Sequence, residues 1–321
     1  MRVVIPDQLA GIVTPVHPLA EEADQHAIGW AHQHGLASTP AGLSGLAAIK
    51  PGTLAAHCYP AAVQNDLFLL ADWLTWLFSF AEQNDSGEYG RNPNFLELVL
   101  TDVYFAAVEP DGPIAENPLG TALKNIFARI GGRMPVEWRR RFLCHVIDYF
   151  AANIWQAAHR RTGDIPDLDT FASMRRDVGG IIPSFDLIEL VASTTIPAEL
   201  YCSRVYQRLI VSAANVVCWT NDLMTAQKDL ANGRITNFVP VLMHHLAAPV
   251  QDSIDDVTHR VGRQVELFIA AERELVRVFD VHGVSDERRT ATLDCVAMLR
   301  AWMGGHVEWG RNAARHLQTT P

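Results

Sequence analysis

Three oxygen-bearing side chains recur at helical spacing in the last third of the 321-residue chain. Asn221, Thr225 and Asp229 are each four residues apart, and residues at i, i+4 and i+8 lie on one face of an α-helix. We call these three residues the oxygen stripe. An amide, a hydroxyl and a carboxylate oxygen form a hard ligand set that suits Mg²⁺ better than zinc or iron. Lys228, one residue before the last ligand, could reach a phosphate bound to that metal.

The segment before the oxygen stripe helps to distinguish a metal site from a solvated helix face. A polar stripe on a helix is also typical of a solvated face. Residues 209–219, however, are almost all apolar or small, which indicates a helix that is buried on most sides. Polar groups on such a helix need partners or a function. The sequence therefore favours a metal site, and a solvated face stays the alternative.

A second acidic site ends an aromatic segment. Glu82 and Asp85, which we call the acidic pair, are spaced i, i+3 and follow the apolar helical pattern of Trp73, Trp76 and Phe80. Carboxylates are poorly placed at a helix C-terminus, because the helix dipole is negative there. A divalent metal would relieve that cost, so the acidic pair is the predicted counterpart of the oxygen stripe. The alternative is an exposed acidic helix end.

Residues 179–183 read Gly-Gly-Ile-Ile-Pro inside an apolar helical pattern. Two glycines before a proline should interrupt a helix without ending its general direction. A broken helix in a core exposes backbone groups to a cavity, and Arg175 and Arg176 stand one turn upstream. A simple corner between two helices is the alternative.

Apolar residues recur at helical spacing almost throughout the chain, and the alternation typical of strands is scarce. Proline and glycine separate the helical segments, but no break is long or biased enough to be a flexible linker. The predicted fold is therefore all-α, with one domain over residues 1–321 and about ten or more helices.

Composition narrows the class of protein. Hydrophobic residues make up 49% of the chain, and the net charge is −10. That charge argues against nucleic acid or an anionic membrane surface as the main partner, so an anionic substrate would need local cations or metal. The five cysteines are scattered and odd in number, which predicts reduced thiols in a cytoplasmic protein. No export signal or membrane-spanning run is evident in the sequence.

Taken in order, these segments resemble the bacterial class I terpene cyclases over most of the chain. The oxygen stripe with Asp222 resembles the family pattern Asn-Asp-x-x-Ser/Thr-x-x-x-Glu, and Arg175 lies 46 residues before it, at the family's usual separation for the diphosphate-sensor arginine. Further similar segments are His17-Pro18, Leu54 to Phe80, the kinked effector helix at 179–189, Trp309, and Arg315-His316 in place of a terminal Arg-Tyr pair.

Three positions depart from the family pattern. Ala81 stands where the leading aspartate of the first metal motif is usual, so Glu82 or Asp85 is expected to substitute, or fewer metals to bind. Asp229 replaces glutamate and is one methylene shorter. His316 replaces tyrosine but can still donate a hydrogen bond to phosphate.

The resemblance implies a helical bundle around a central apolar cavity and a Mg²⁺-dependent lyase that ionises an isoprenyl diphosphate. It implies up to three Mg²⁺ ions, held by the oxygen stripe and the acidic pair. The implied phosphate-binding residues are Arg175, Lys228, Arg315 and His316. The carbonyl of Gly179 would face the carbocation and Val178 would lie in the linker before the break. Phe78, Phe80 and Trp309 are candidate wall residues, with ordinary core packing as their alternative.

Substrate length and partners are less determined. The small residues Ser212, Ala213, Ala214 and Cys218 on the stripe's helix leave room for a long chain and favour geranylgeranyl over farnesyl diphosphate. Family members are often homodimers, although no surface in the sequence requires it. Two alternatives remain: an isoprenyl diphosphate synthase, which would need two aspartate-rich motifs, and a non-catalytic isoprenoid-binding protein, which Ala81 would favour.

Overall fold

A computed structural model describes residues 1–86, 88–109, 117–281 and 283–313, and within these ranges it contains helices and no strand. The prediction of an all-α fold is confirmed. The first seven helices are α1 Asp7–Ala10, α2 Ala20–Gln33, α3 Pro40–Ile49, α4 Pro51–Cys58, α5 Gln64–Ser86, α6 Pro93–Val108 and α7 Pro118–Gly131, with a 3₁₀ turn at Glu88–Arg91. The remaining eight are α8 Val136–Thr162, α9 Leu168–Val178, α10 Ile181–Val191, α11 Ala198–Tyr201, α12 Arg204–Ala231, α13 Phe238–Leu246, α14 Val250–Val281 and α15 Asp286–Asn312.

Helix α5 carries two different faces. One face is a row of stacked rings: Trp73 lies 5.7 Å from Trp76, and Trp76 lies 5.9 Å from Phe80, measured between ring centroids. The indole N–H of Trp76 donates to the carbonyl of Leu119 at 2.9 Å, which ties this row to α7. Burial of large aromatic side chains fixes the helix about its own axis. The opposite face is thereby turned towards α12 and α15.

Helix α12 is the buried helix that the sequence predicts. Ser203 caps its N-terminus by accepting a hydrogen bond from the amide of Tyr206. Residues 212–220 are all buried, and the helix packs against α14 and α15. The polar residues Asp222, Thr225 and Asp229 near the end of this helix are therefore buried as well.

The predicted interruption lies between α9 and α10. Helix α9 ends at Val178, and Gly180 adopts a left-handed conformation with φ of 63° before α10 begins. Ser184 stabilises the break, because its hydroxyl donates to the carbonyl of Gly180 at 2.7 Å. Tyr59 and Trp73 in turn donate to the carbonyl and the hydroxyl of Ser184 at 2.7 and 2.8 Å. The break is thus anchored to α4 and α5.

No helix among the described residues is long and apolar enough to cross a membrane. All five cysteines lie in described ranges and are free thiols, three of them buried.

We expect Gly180→Ala to destabilise the protein more than Gly163→Ala does. Both glycines have positive φ, 63° and 77°, so an added Cβ costs about 1–2 kcal/mol at each. At Gly180 that Cβ would also lie 2.8 Å from a methyl group of Leu77, whereas at Gly163 nothing lies within 4 Å. Overpacking adds about 1–3 kcal/mol. Thermal unfolding of the two variants measures the difference, and equal losses would contradict it.

Candidate active site

A cavity of about 400 Å³ lies between α5, α8, α12 and α15, beside the break between α9 and α10. This volume falls within the range of small-molecule sites, about 300–1,000 Å³. The deep lining is mostly apolar and includes Leu54, Leu74, Leu77, Ile181, Val217 and Trp302. Charged residues line it as well: Glu82, Asp85, Arg160, Arg175, Asp222, Lys228, Asp229 and Arg234.

The apolar and charged linings are separated along the helices. Helix α5 lines the cavity from Leu74 to Asp85, and α12 lines it from Val217 to Asp229. Each stretch rises about 16–18 Å at 1.5 Å per residue. Their polar ends meet, because Arg234 contacts both Asp85 and Asp229. The cavity therefore has an apolar interior and a charged mouth.

The oxygen stripe lies in the cavity wall, on one face of α12, as its spacing predicts. The hydroxyl of Thr225 donates to Oδ2 of Asp229 at 2.6 Å. The side-chain amide of Asn237 donates to both of these oxygens, at 3.2 and 2.9 Å. The side-chain oxygen of Asn221 accepts from Arg175 at 3.2 Å. Hydrogen bonds from neighbouring residues thus orient all three ligand oxygens.

This donor set fits a magnesium ion. It offers neutral amide and hydroxyl oxygens and one carboxylate, within reach of one another and of the cavity. Hard oxygen ligands of this kind suit Mg²⁺, which also retains several waters and binds substrate phosphates. The described residues contain no cluster of three or more histidine, cysteine, aspartate and glutamate side chains, so Asn221 and Thr225 are needed to complete a site.

Arg175 is held by Asp222, the residue after the first ligand. Its Nε and Nη2 atoms donate to the Asp222 carboxylate at 2.9 and 2.7 Å, and both side chains are largely buried. Burial alone would lower the pKa of Arg175, but the charge and hydrogen bonds of Asp222, together with the neighbouring Cys218 and Asp229, outweigh it, and the pKa lies above its ordinary value. The guanidinium therefore stays charged at the cavity wall. Arg176 points elsewhere, because it donates to Asn215 and to the carbonyl of Ala172.

The acidic pair is placed differently from the oxygen stripe. Asp85 accepts from Nη2 of Arg160 at 2.6 Å and from Nη1 of Arg234 at 2.8 Å, one guanidinium on each carboxylate oxygen. Glu82 is exposed at the mouth. Ala81 lines the cavity one turn before Asp85 but offers no ligand. Both oxygens of Asp85 are engaged by arginines, so this side of the mouth does not fit a metal ion as it stands.

Two of the three predicted aromatic residues line the cavity. Phe78 and Trp309 stack with ring centroids 5.7 Å apart, and the indole N–H of Trp309 donates to the carbonyl of Ile49 at 2.8 Å. The prediction of Phe80 as a wall residue is wrong. Two residues along a helix is a rotation of about 200°, so Phe80 faces the opposite way, against Trp76 and Tyr149 in the core.

The helix break contributes Val178 and Gly179 to the cavity lining. The carbonyl of Gly179 accepts no hydrogen bond from the described part of the chain. The reason is local: its partner in a continuous helix would be the amide four residues on, and Pro183 has no N–H. An added Cβ at Gly179 would lie 3.1 Å from the guanidinium of Arg175 and 3.2 Å from the sulfur of Cys218. The glycine therefore allows this arginine to approach the break closely.

The remaining predicted phosphate contacts divide into two groups. Lys228 lies at the mouth, is exposed and makes no ion pair with any residue that the structure describes. Arg315 and His316 lie outside the described residues.

Several lining residues were missed by sequence reasoning. They are Asn84, Tyr149, Asn153, Gln156, Arg160, Arg234, Trp302 and His306. The α8 members Tyr149, Asn153, Gln156 and Arg160 repeat at helical spacing, which is a signal that the sequence does contain. Polar residues near a helix end usually face solvent, so this spacing alone does not indicate a site. Arg234 lies in a short loop, and nothing local indicates its contact with Asp85.

Comparisons with known proteins agree with this site. The family described as terpene synthase family 2, C-terminal metal binding, matches residues 72–266. The (−)-δ-cadinene synthase of Streptomyces clavuligerus is 36% identical over 310 residues, which cover 96% of this chain and 94% of that protein. The chain belongs to the bacterial class I terpene synthases. The prediction of a terpene synthase, a carbon–oxygen lyase, is thereby confirmed.

A further relative supports the family assignment, and a solved structure supports the fold. A (+)-T-muurolol synthase of Roseiflexus castenholzii, described as farnesyl diphosphate cyclising, is 30% identical over 98% of this chain and 95% of its own length. The solved structure of germacradien-4-ol synthase from Streptomyces citricolor superposes with a TM-score of 0.82 at 23% identity, covering 92% of this chain and 95% of that one. The metal-binding family implies a divalent ion, generally Mg²⁺, which agrees with the oxygen stripe.

We expect Asn221→Ala to reduce turnover by this terpene synthase at least about 100-fold, because loss of a metal ligand should exceed the 10–100-fold typical of outer-shell residues. Asp255→Ala is the control: Asp255 stands in an Asp-Asp dipeptide, as metal ligands often do, but it lies exposed on α14 and accepts a hydrogen bond from Gln251. Turnover and diphosphate-dependent Mg²⁺ binding would be measured for both. Equal losses would place the metal site elsewhere.

Proposed function

We propose that this terpene synthase ionises farnesyl diphosphate in a Mg²⁺-dependent step and cyclises the resulting allyl cation to a sesquiterpene. The observation that carries the proposal is the division of one cavity into an apolar, aromatic interior and a mouth with a metal stripe and cations. A linear isoprenoid with a diphosphate at one end matches that division. Sesquiterpene synthases among the relatives, one of them described as cyclising farnesyl diphosphate, support the choice of substrate.

Farnesyl diphosphate replaces the longer substrate that the sequence favoured. That preference depended on four small residues of α12, of which only Cys218 lines the cavity. Ser212, Ala213 and Ala214 are fully buried outside the lining, so they add no room for a chain. The relatives also point towards farnesyl and give no support to geranylgeranyl diphosphate.

At the mouth, the protein binds the diphosphate and favours its departure. Arg175 is charged, oriented by Asp222 and directed towards the oxygen stripe, and Lys228 lies on α12 about two turns after Asn221. A bound Mg²⁺ supplies further positive charge that neutralises the leaving diphosphate. Preoriented cations of this kind stabilise charge that develops in the transition state without reorganising at that moment. Arg315 and His316 remain proposed contacts of the same group.

Inside the cavity, the wall protects and stabilises the carbocation. Ring faces attract cations, and Phe78, Trp302 and Trp309 supply aromatic surface around the deep end. The Gly179 carbonyl, freed by Pro183, is the proposed backbone dipole towards the allyl cation. Exclusion of water prevents premature capture of the cation.

That the protein forms a homodimer stays a prediction.

The test is incubation of purified protein with geranyl, farnesyl and geranylgeranyl diphosphates plus Mg²⁺, followed by analysis of the organic extract and of released diphosphate. We expect farnesyl diphosphate to give a cyclic C15 product with kcat/KM at least about tenfold above that of the other two, a difference that corresponds to about 1.4 kcal/mol. The control is the same mixture with a chelator. No cyclic product and no diphosphate release from any substrate would overturn the proposal.

A further inference from the structure

The charge balance at the mouth differs between its two sides. On the α12 side, the oxygen stripe presents ligand oxygens to the cavity. On the α5 side, each oxygen of Asp85 receives a guanidinium, from Arg160 at 2.6 Å and from Arg234 at 2.8 Å. Asp85 and its two guanidinium partners together carry a formal charge of +1, and the nearby carboxylates are Glu82 on the same helix and Asp229, 3.5 Å from Arg234. The guanidinium donors can bind an anion, whereas a metal ion at Asp85 would have to displace both arginines.

Backbone contacts fix the position of Arg234 at the mouth. Its amide donates to the carbonyl of Asp229 at 2.8 Å, and Gly233 before it turns the chain with φ of 64°. The loop is held again at Asn237, which donates to the backbone carbonyl of Asp222 at 2.9 Å. The guanidinium then reaches across the mouth, 2.8 Å from Asp85 and 3.5 Å from Oδ1 of Asp229. It lies between the two sides, in a position where a bridging cation would lie.

Arg160 differs from Arg234 in exposure and in its bonds. Arg160 also donates to the backbone carbonyl of Asn84 at 3.2 Å, and its side chain is 16% exposed. Arg234 is 30% exposed, and the ion pairs with Asp85 and Asp229 are the contacts of its guanidinium among the described residues. Arg160 therefore holds Asp85 in place, and Arg234 is the arginine that can turn to an incoming anion.

From this geometry we propose that Arg234 binds the diphosphate of the substrate directly and takes the place of metal ions on the α5 side of the mouth. The inference rests on the proposed function, since it concerns the diphosphate end of the same substrate. Ala81 is explained by it: a carboxylate is not needed where no metal is held. The oxygen stripe keeps its Mg²⁺, and the terpene synthase uses fewer ions than the three that the resemblance implies. Guanidinium groups suit this role because their planar donors match phosphate oxygens.

The first test measures binding of inorganic diphosphate to the full chain in metal-free, chelator-treated buffer by calorimetry. We expect the wild type to bind diphosphate. Arg234→Gln should weaken the affinity about 10–100-fold, the loss typical of hydrogen bonds between charged groups. Arg234→Lys should lose less affinity, because it keeps the charge. The matched control is Arg263→Gln, which removes an exposed arginine paired with Glu266 on α14. Circular dichroism would confirm folding. Unchanged affinity in folded Arg234→Gln, or no metal-free binding by the wild type, would overturn the proposal.

The second test counts Mg²⁺ ions bound per chain with saturating diphosphate, by equilibrium dialysis and atomic absorption. We expect fewer than three ions in the wild type and at least one more in the double variant A81D/R234Q, in which a carboxylate returns to the cavity wall and the guanidinium is removed. Three ions bound to the wild type would contradict the proposal that Arg234 takes the place of metal ions.

Turnover of farnesyl diphosphate by the wild type separates the two proposals. Turnover with unaltered diphosphate binding in Arg234→Gln would leave the proposed function standing and remove the role of Arg234. Absence of turnover together with an Arg234-dependent diphosphate site would overturn the substrate and not the anion site.

Discussion

The buried ion pair between Arg175 and Asp222 is the contact on which the geometry of the mouth depends. Asp222 accepts from the guanidinium, and its Oδ2 also accepts from the amide of Phe238 at 3.1 Å. One carboxylate thereby joins α9, α12 and the first residue of α13. Removing one member of such a pair leaves a buried charge and costs about 3–5 kcal/mol. The same guanidinium donates to the amide oxygen of Asn221, so the first proposed metal ligand is oriented by a cation that also lines the cavity.

Around this pair, positive charge reaches the mouth in two forms. The oxygen stripe is arranged to hold a metal, with Asn237 donating to two of its oxygens from the loop after α12. The α5 side is arranged around guanidinium groups fixed to the protein. A fixed cation requires no binding equilibrium with the solvent, but it must leave its carboxylate partners when substrate enters. If Arg234 binds the diphosphate as proposed, breaking its ion pairs with Asp85 and Asp229 is part of the free-energy cost of substrate binding.

The sequence predicts the elements better than it predicts the contacts between them. The oxygen stripe and the break at residues 179–183 follow from spacing and residue type, so the amino-acid sequence alone is enough to place both. Phe80 shows the limit within a helix: the periodicity puts Phe78 and Phe80 on opposite faces of α5, but it does not say which face lines the cavity. Arg160 and Arg234 show the limit between helices: they contact Asp85 across 75 and 149 residues of chain, and no local pattern encodes those distances.

The helix break shows how local chemistry produces a functional group with no reactive side chain. Pro183 removes the amide that would satisfy the carbonyl of Gly179, and Gly180 provides the left-handed turn that redirects the chain. The hydroxyl of Ser184 satisfies the next carbonyl, that of Gly180, whereas Gly179 lies in the cavity wall. An unpaired carbonyl in an apolar site costs free energy unless it has a partner. The proposed allyl cation would be such a partner, and Gly179 lies one turn after Arg175, the arginine proposed to bind the diphosphate.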